Sequence, residues 1–163
     1  MLKEKFKALE DVLLAETERC YGERLVSLVL FGSAARGTQR FDSDVDFLIV
    51  ARDLPRGRLK RVREFQAVDE RLGPFLGKLR GSGINTGLSP VFKAPEEAEE
   101  GSPLFLDMVE DAKILFDRDG FFARRLERLR ERLKALGAKR IWRGNAWYWD
   151  LKPDYKPGDV IEL

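Results

Sequence analysis

The chain contains 163 residues, of which 44% are hydrophobic and 36% are charged, and its formal net charge at pH 7 is +2; this composition is typical of one globular domain and excludes disordered and fibrous classes. The sequence has one cysteine, Cys20, and no histidine, which excludes an intramolecular disulfide, a Ser-His triad and a histidine-bound zinc or iron site. Catalysis would therefore use carboxylates, hydroxyls, Lys or Arg, and a metal ion would be bound by oxygen atoms.

The N-terminal segment predicts a helix rather than a leader peptide. Residues 1–22 contain acids throughout and no cleavage site, and apolar residues recur on one face over 3–20. No run in the chain approaches the ~18 apolar residues of a membrane span. We therefore expect a cytoplasmic protein without membrane contacts.

The next part of the chain predicts two buried strands and two helices. The apolar runs 25–31 and 45–51 are typical of strands buried on both faces. Gly32 ends the first of them, and residues 33–37 predict a short helix that is followed by a loop. A longer amphipathic helix comes after the second strand. Its inner face is expected to carry Leu59, Val62, Phe65, Val68 and Leu72.

The second half predicts two more strands and two more helices. Residues 73–87 are rich in turn formers and lead into a third strand at 84–93, which Gly87 and Pro90 are expected to weaken. A helix is expected over 102–112, a short strand over 113–117, and a charged helix over 120–136 whose leucines face inward and whose arginines face water. This order predicts an α/β (α+β) two-layer domain with a small mixed sheet of four to five strands.

Two aspartates stand at the start of the second apolar run. Asp44 and Asp46 are two residues apart, so on a strand their side chains leave the same face. Carboxylates this close repel each other unless a cation lies between them, and Mg²⁺ or Mn²⁺ is the natural oxygen-bound cation. Upstream, Gly32 and Ser33 mark a strand-to-helix turn where backbone N–H groups can receive a phosphate. This combination predicts phosphoryl or nucleotidyl transfer.

The segment FGSAARGTQRFDSDVDFLIV resembles the minimal nucleotidyltransferases of the DNA polymerase beta-like superfamily. The match is close over 25–50 and loose as far as residue 136. It implies a nucleotidyltransferase domain over 1–136 that transfers an NMP from an NTP to an acceptor hydroxyl and releases pyrophosphate. The acceptor could be a protein, an RNA or a small molecule.

The resemblance also implies a role for each matching residue. Gly32 and Ser33 would hold the triphosphate of the NTP, and Asp44 and Asp46 would be the catalytic residues that bind Mg²⁺. Arg36 would either contact phosphate or brace the loop, and both alternatives stay open.

The chain departs from the family pattern at one position. The family usually has a third carboxylate on a later strand, whereas the segment INTGLSPVFKA contains no acid. Asn85, Thr86 and Ser89 occupy the candidate positions, and the first acids beyond them, Glu96 and Glu97, predict the start of a solvated helix. We expect nucleotide binding to survive this departure and transfer to be slower.

Two other functions follow from the same resemblance. Many relatives are paired with a small helical HEPN-type protein, which the transferase modifies or covers as its antitoxin. A catalytically weak nucleotide- or RNA-binding module is the other alternative, with the basic segment 118–143 as its binding surface.

The last segment, 137–163, is an aromatic tail in which Trp147, Tyr148 and Trp149 alternate as in a strand. We expect it to pack on the domain or on a partner, including a second copy of the chain in a homodimer. The alternative is a surface on which a base stacks, flanked by Arg143 and Lys152.

Overall fold

The computed structural model describes residues 1–163 and contains a four-stranded mixed sheet. Its strands are β1 (Leu25–Phe31), β2 (Val45–Ala51), β3 (Leu88–Lys93) and β4 (Lys113–Asp117). Their order across the sheet is β3-β2-β1-β4; β1 is antiparallel to β2 and β4, and β2 is parallel to β3. β1 and β2 are the central strands and are buried almost throughout, which explains their continuous apolar sequences.

Six helices surround the sheet, and they cover both of its faces. They are α1 (Leu2–Tyr21), α2 (Gly32–Arg36), α3 (Arg58–Gly81), α4 (Pro95–Glu100), α5 (Leu104–Asp111) and α6 (Phe121–Leu136). The α/β class and the four-stranded mixed sheet are confirmed, and the helices of the second face add to the two layers expected from the sequence.

The two faces of the sheet belong to two hydrophobic clusters. The larger cluster, of 18 buried residues, joins α1 and α3 to the sheet, and in it the Phe65 ring contacts Phe47 and Phe92 at centroid distances of 5.8 and 5.7 Å. The smaller cluster, of 12 buried residues, joins α4, α5 and α6 to the opposite face, with Phe105 edge-on to Phe122. Both clusters draw side chains from β1 and β2, so each strand alternates between the two layers.

Helix α3 departs from the sequence-based prediction at both ends. The segment 73–87 was expected to be turn-rich, but it is helical as far as Gly81, with Pro74 inside the helix. Burial of Leu72 and Leu79 against the sheet outweighs the local preference of Gly and Pro for turns. At the other end, the predicted core residues Leu59 and Val62 are exposed, by 75% and 37%.

In the first turn of α3 the inward position belongs to Arg61. Its guanidinium donates to the backbone oxygens of Pro55 and Phe92. Hydrogen bonds therefore connect this turn to the rest of the domain, where the sequence predicts apolar contacts. The third strand was predicted over 84–93 and begins only at Leu88. Pro90 is tolerated in it because β3 is an edge strand.

Helix α6 confirms the prediction for its leucines and contradicts it for one arginine. Leu126, Leu129 and Leu133 are buried, and Gly137 ends the helix in the left-handed conformation with φ 70°. Arg125, which was expected to face water, is only 4% exposed. Burial lowers the pKa of its guanidinium, whose Nε donates to the Ala98 oxygen at 3.1 Å.

The C-terminal tail forms a hairpin of β5 (Lys139–Arg143) and β6 (Ala146–Asp150). The indole N–H groups of Trp147 and Trp149 both donate to the Asp107 carboxylate, which anchors the hairpin on α5. Trp149 and Leu151 also pack against the smaller cluster. None of the helices combines the length and the apolar character that crossing a bilayer requires.

Candidate active site

The turn between β1 and α2 lies directly against a carboxylate of β2. Gly32 follows the last residue of β1 and has φ +65°, a conformation that favours glycine. A Cβ atom at this position would lie 2.7 Å from Asp46 Oδ2, which is closer than real Cβ contacts. Backbone and carboxylate can therefore meet here only because residue 32 has no side chain.

Asp46 occupies the second position of β2, between two neighbouring strands. It is in register with Phe31 on β1 and Ser89 on β3, and it is half-buried. Burial raises the pKa of the Asp46 carboxyl, and the charge of Asp44 acts in the same direction. The neighbouring Ser89 hydroxyl and the positive charge of Arg36 oppose this increase. Asp46 is thus a carboxylate that gains from a nearby cation.

Asp44 is exposed and is oriented by the backbone that precedes β3. The Gly87 N–H donates to Asp44 Oδ1 at 3.0 Å, and the Gly87 oxygen accepts from the Val45 N–H at 2.9 Å. A Cβ at position 87 would lie 3.1 Å from Asp44 Oδ1, so a glycine also fits best here. Sequence reasoning treated Gly87 only as a residue that weakens a strand, although a glycine beside an acidic site signals close backbone approach.

The candidate positions for a third carboxylate do not bring an acidic side chain into the site. Ser89 lies beside Asp46, the Thr86 hydroxyl donates to the Ser43 oxygen at 2.6 Å, and the side chain of Asn85 is exposed. Glu97 pairs with Arg61 at 2.8 Å and caps α4 by accepting from the Ala94 N–H.

The donor set fits a divalent cation with oxygen ligands. No group of three or more Asp, Glu or Cys side chains comes together in the structure, so the pair Asp44 and Asp46 provides the carboxylates. Two neighbouring carboxylates, one of them with a raised pKa, favour a hard cation such as Mg²⁺ or Mn²⁺. Water and phosphate oxygens would complete the coordination of such an ion.

Arg36 ends α2 and is exposed. Its guanidinium forms no hydrogen bond or ion pair within the chain; instead, Cζ lies 5.2 Å from the centroid of the Trp147 ring. Arg36 therefore does not brace the loop through a hydrogen bond in this structure. Arg36 and Trp147 are 111 positions apart in the sequence. No local sequence pattern predicts a contact between them.

A family model and a curated relative both match this chain as a nucleotidyl-transferring domain. The family model of the nucleotidyltransferase domain matches residues 13–125. A protein of Methanocaldococcus jannaschii, named for an inferred protein adenylyltransferase activity, is 33% identical over 135 residues, which cover 80% of this chain and 86% of that protein.

Two solved structures have similar chains at lower identity. A chain of a toxin–antitoxin complex with AMP-PNP is 22% identical, and the match covers 77% of this chain and 90% of that chain with a TM-score of 0.47. A chain of a complex between a tri-AMPylated HEPN toxin of Shewanella oneidensis and an MNT antitoxin is 18% identical, with coverages of 83% and 91% and a TM-score of 0.41.

Proposed function

The chain belongs to the nucleotidyltransferase domain family, and on this premise we propose that it transfers an NMP from an NTP to an acceptor hydroxyl with the help of Mg²⁺ or Mn²⁺. The observation that carries the proposal is the contact between the Gly32 turn and the Asp46 carboxylate, where a Cβ would approach Oδ2 to 2.7 Å. A phosphate-binding turn and a metal-binding carboxylate must be adjacent for this reaction.

Each residue of the site has a role in this proposal. Asp44 and Asp46 are the catalytic residues and the metal ligands, and Gly32, Ser33 and Arg36 bind the triphosphate of the NTP. When bound, the divalent cation would neutralise phosphate charge and act as a Lewis acid on the transferred group. The Gly87 N–H fixes the direction of one Asp44 oxygen, which reduces the reorganisation that ligand binding requires.

In the proposed transfer, one bond forms and one bond breaks at the α-phosphorus of the NTP. The acceptor hydroxyl oxygen forms a bond to the α-phosphorus while the bond from this phosphorus to the β-phosphate oxygen breaks. Pyrophosphate leaves with that electron pair, and the hydroxyl proton passes to water, because no third carboxylate stands ready to accept it. We therefore expect a slower transfer than in relatives with three carboxylates.

For the substrates, we propose ATP as the donor and a protein hydroxyl as the acceptor. The support is the name of the M. jannaschii relative, which matches 80% of this chain at 33% identity. The proposal places the reaction in the cytoplasm, where ATP is abundant.

A second candidate function is favoured by the residue next to Asp46 on β3, which is Ser89 and not an acid. Ser89 is one of the three candidate positions for the family's third carboxylate. In this alternative the chain is an antitoxin-like protein that binds a nucleotide and covers a HEPN-type partner without rapid transfer. It predicts tight ATP binding and a stable complex together with little or no labelling of the partner.

The test uses ATP labelled at either the α- or the γ-phosphate, incubated with the purified chain, Mg²⁺ and cell extract. We expect α-label on protein, pyrophosphate release and no γ-label on protein. The control is the double variant D44N/D46N, which should lose the labelling while remaining folded. Equal labelling by this variant, or transfer of the γ-label, would contradict the proposed reaction, and α-label on RNA would contradict the acceptor.

A further inference from the structure

We propose that Trp147 is a positioning residue for Arg36, so that the C-terminal hairpin forms part of the nucleotide site. The inference rests on the proposed function, because it takes the triphosphate as the group that Arg36 binds. It assigns a role to the aromatic tail, for which the sequence left both packing and base stacking open.

The first observation is the state of the Arg36 guanidinium. It stands at the end of α2, 5.2 Å from the Trp147 centroid, and none of its N–H groups is used within the chain. An arginine that stacks on an aromatic face keeps its in-plane donors free. Stacking therefore orients the side chain without consuming the donors that a phosphate requires.

The second observation is that the Trp147 ring is itself held in place. Its indole N–H donates to the Asp107 carboxylate on α5, and the Arg140 Cζ lies 4.9 Å from its centroid. Arg140 in turn is paired with Asp111, also on α5, at 3.0 Å. Two carboxylates of one helix thus fix the ring against which Arg36 stacks.

The third observation connects this assembly to the candidate catalytic pair. Arg36 is close enough to Asp46 for its charge to act on that carboxylate, and α2 begins at Gly32, whose backbone touches Asp46. The hairpin thus contacts Arg36 directly through Trp147, and the Arg36 charge acts on a carboxylate of the candidate site. A free arginine side chain loses much rotamer entropy on binding phosphate, and a stacked one loses less.

The stacking can be tested without any nucleotide. Tryptophan fluorescence should differ between the wild type and R36Q, because the variant removes a cation from the Trp147 ring. The same R36Q change should leave the emission unaltered in a W147F background. An equal spectral difference in both backgrounds would assign the effect to another tryptophan and overturn the contact.

The functional consequence is tested by the dissociation constant of Mg²⁺-ATP, measured by titration calorimetry. We expect W147L to weaken binding by about three- to tenfold, the range of one cation–π contact plus lost preorganisation. W147F, which keeps an aromatic face, should lie between W147L and the wild type. Y148L removes an aromatic side chain of the same hairpin that contacts Arg143 rather than Arg36, and it should stay within about twofold of the wild type.

The decisive comparison is between R36Q and the double variant R36Q/W147L. If Trp147 acts through Arg36, W147L adds no further loss once Arg36 is gone. An undiminished effect of W147L in the R36Q background would show a merely structural role, and unchanged ATP binding by R36Q would also overturn the inference. Should W147L lose its folded circular dichroism spectrum, W147F takes its place in the same cycle.

The same titrations separate this inference from the proposed function. If D44N/D46N abolishes metal-dependent ATP binding while R36Q and W147L have no effect, the proposed function stands and the role of Trp147 is wrong. If D44N/D46N binds Mg²⁺-ATP as the wild type does, the proposed site itself is wrong.

Discussion

Strand β2 contains two regions with different environments, and their contrast separates function from stability. Residues 47–51 are completely buried between the two hydrophobic clusters. One residue earlier, Asp46 is half-buried, and Asp44, just before the strand, is exposed. The buried region fixes the position of the strand, and the polar end uses that position to hold two carboxylates against a glycine turn.

This contrast means that substitutions a few residues apart should have opposite consequences. In the buried region, a smaller side chain leaves a cavity and lowers the free energy of unfolding. At the polar end, loss of a carboxylate removes a like-charge repulsion, so it should weaken the binding of ligands without lowering the free energy of unfolding.

The largest effect is expected for Phe47→Ala. Phe47 is 0% exposed and contacts the Phe65 ring at 5.8 Å, so truncation should lower the free energy of unfolding by about 3–5 kcal/mol. Urea unfolding measures this loss. Mg²⁺-ATP should still stabilise the folded fraction, and a loss below about 1 kcal/mol would contradict the view that this part of β2 holds the fold.

The next effect concerns the double variant D44N/D46N. A ligand present at a hundredfold excess over its Kd stabilises the native state by about 2.7 kcal/mol, and this increment should disappear in the variant. Thermal unfolding with and without Mg²⁺-ATP measures this increment. Ser33→Ala should reduce the increment only in part, because backbone N–H groups remain.

The control for D44N/D46N is its stability without ligand, which should be at least that of the wild type. A large loss of stability would show that the two carboxylates are structural.

A smaller effect on stability is expected for Gly32→Ala. The φ of +65° disfavours alanine by about 1–2 kcal/mol, and the new Cβ would in addition displace the Asp46 carboxylate. Gly37→Ala is the matched control, because φ is +71° there but no atom lies within 4 Å of the added Cβ. Both variants should lose similar stability, and only Gly32→Ala should also lose stabilisation by Mg²⁺-ATP.

The smallest effect is a pH dependence at the opposite end of the sheet. Burial acts to raise the pKa of Glu97, but the Ala94 N–H and Arg61 outweigh it and lower that pKa below the usual 4.5. Glu97 therefore contributes stability above about pH 4.5 that is lost as the pH falls. Glu97→Gln should flatten the acid limb of stability by a few tenths of a kcal/mol, since the side chain is 39% exposed.

The control for this last experiment is the binding of Mg²⁺-ATP near pH 7. Glu97 pairs with Arg61 beside Phe92, which is in register with Ile49, whereas Asp46 is in register with Ser89. The Kd of Mg²⁺-ATP should therefore be unchanged in Glu97→Gln. A weaker binding would show that the two ends of β3 are coupled.

The sequence predicted most of the fold where burial and local signals agree. The two central strands, the helix at 3–20 and the leucine face of α6 all follow from apolar patterns that the structure reproduces. The pairing of these two strands sets Phe31 opposite Asp46, so that Gly32, the next residue, lies close to that carboxylate. The roles of these residues in catalysis stay predictions.

The parts that the sequence did not predict depend on contacts between distant residues. Burial of Leu72 and Leu79 keeps α3 helical through Pro74, although local propensity favours turns. Arg125 is buried because its guanidinium lies against the Phe105 ring, with Cζ 5.9 Å from its centroid, and Gly101 leaves room for it. A hydrophobic pattern predicts every arginine to be exposed, so it cannot identify an arginine that is buried by contacts with distant residues.

Pro90 on β3 also affects how this protein can associate with others. An exposed edge strand invites another chain to add a strand, which is one route to aggregation. Proline has no N–H to offer, so a strand that added along β3 would meet a gap in its ladder of hydrogen bonds. The residue that weakens β3 as a strand therefore protects the sheet from growing at the edge nearest to the two carboxylates.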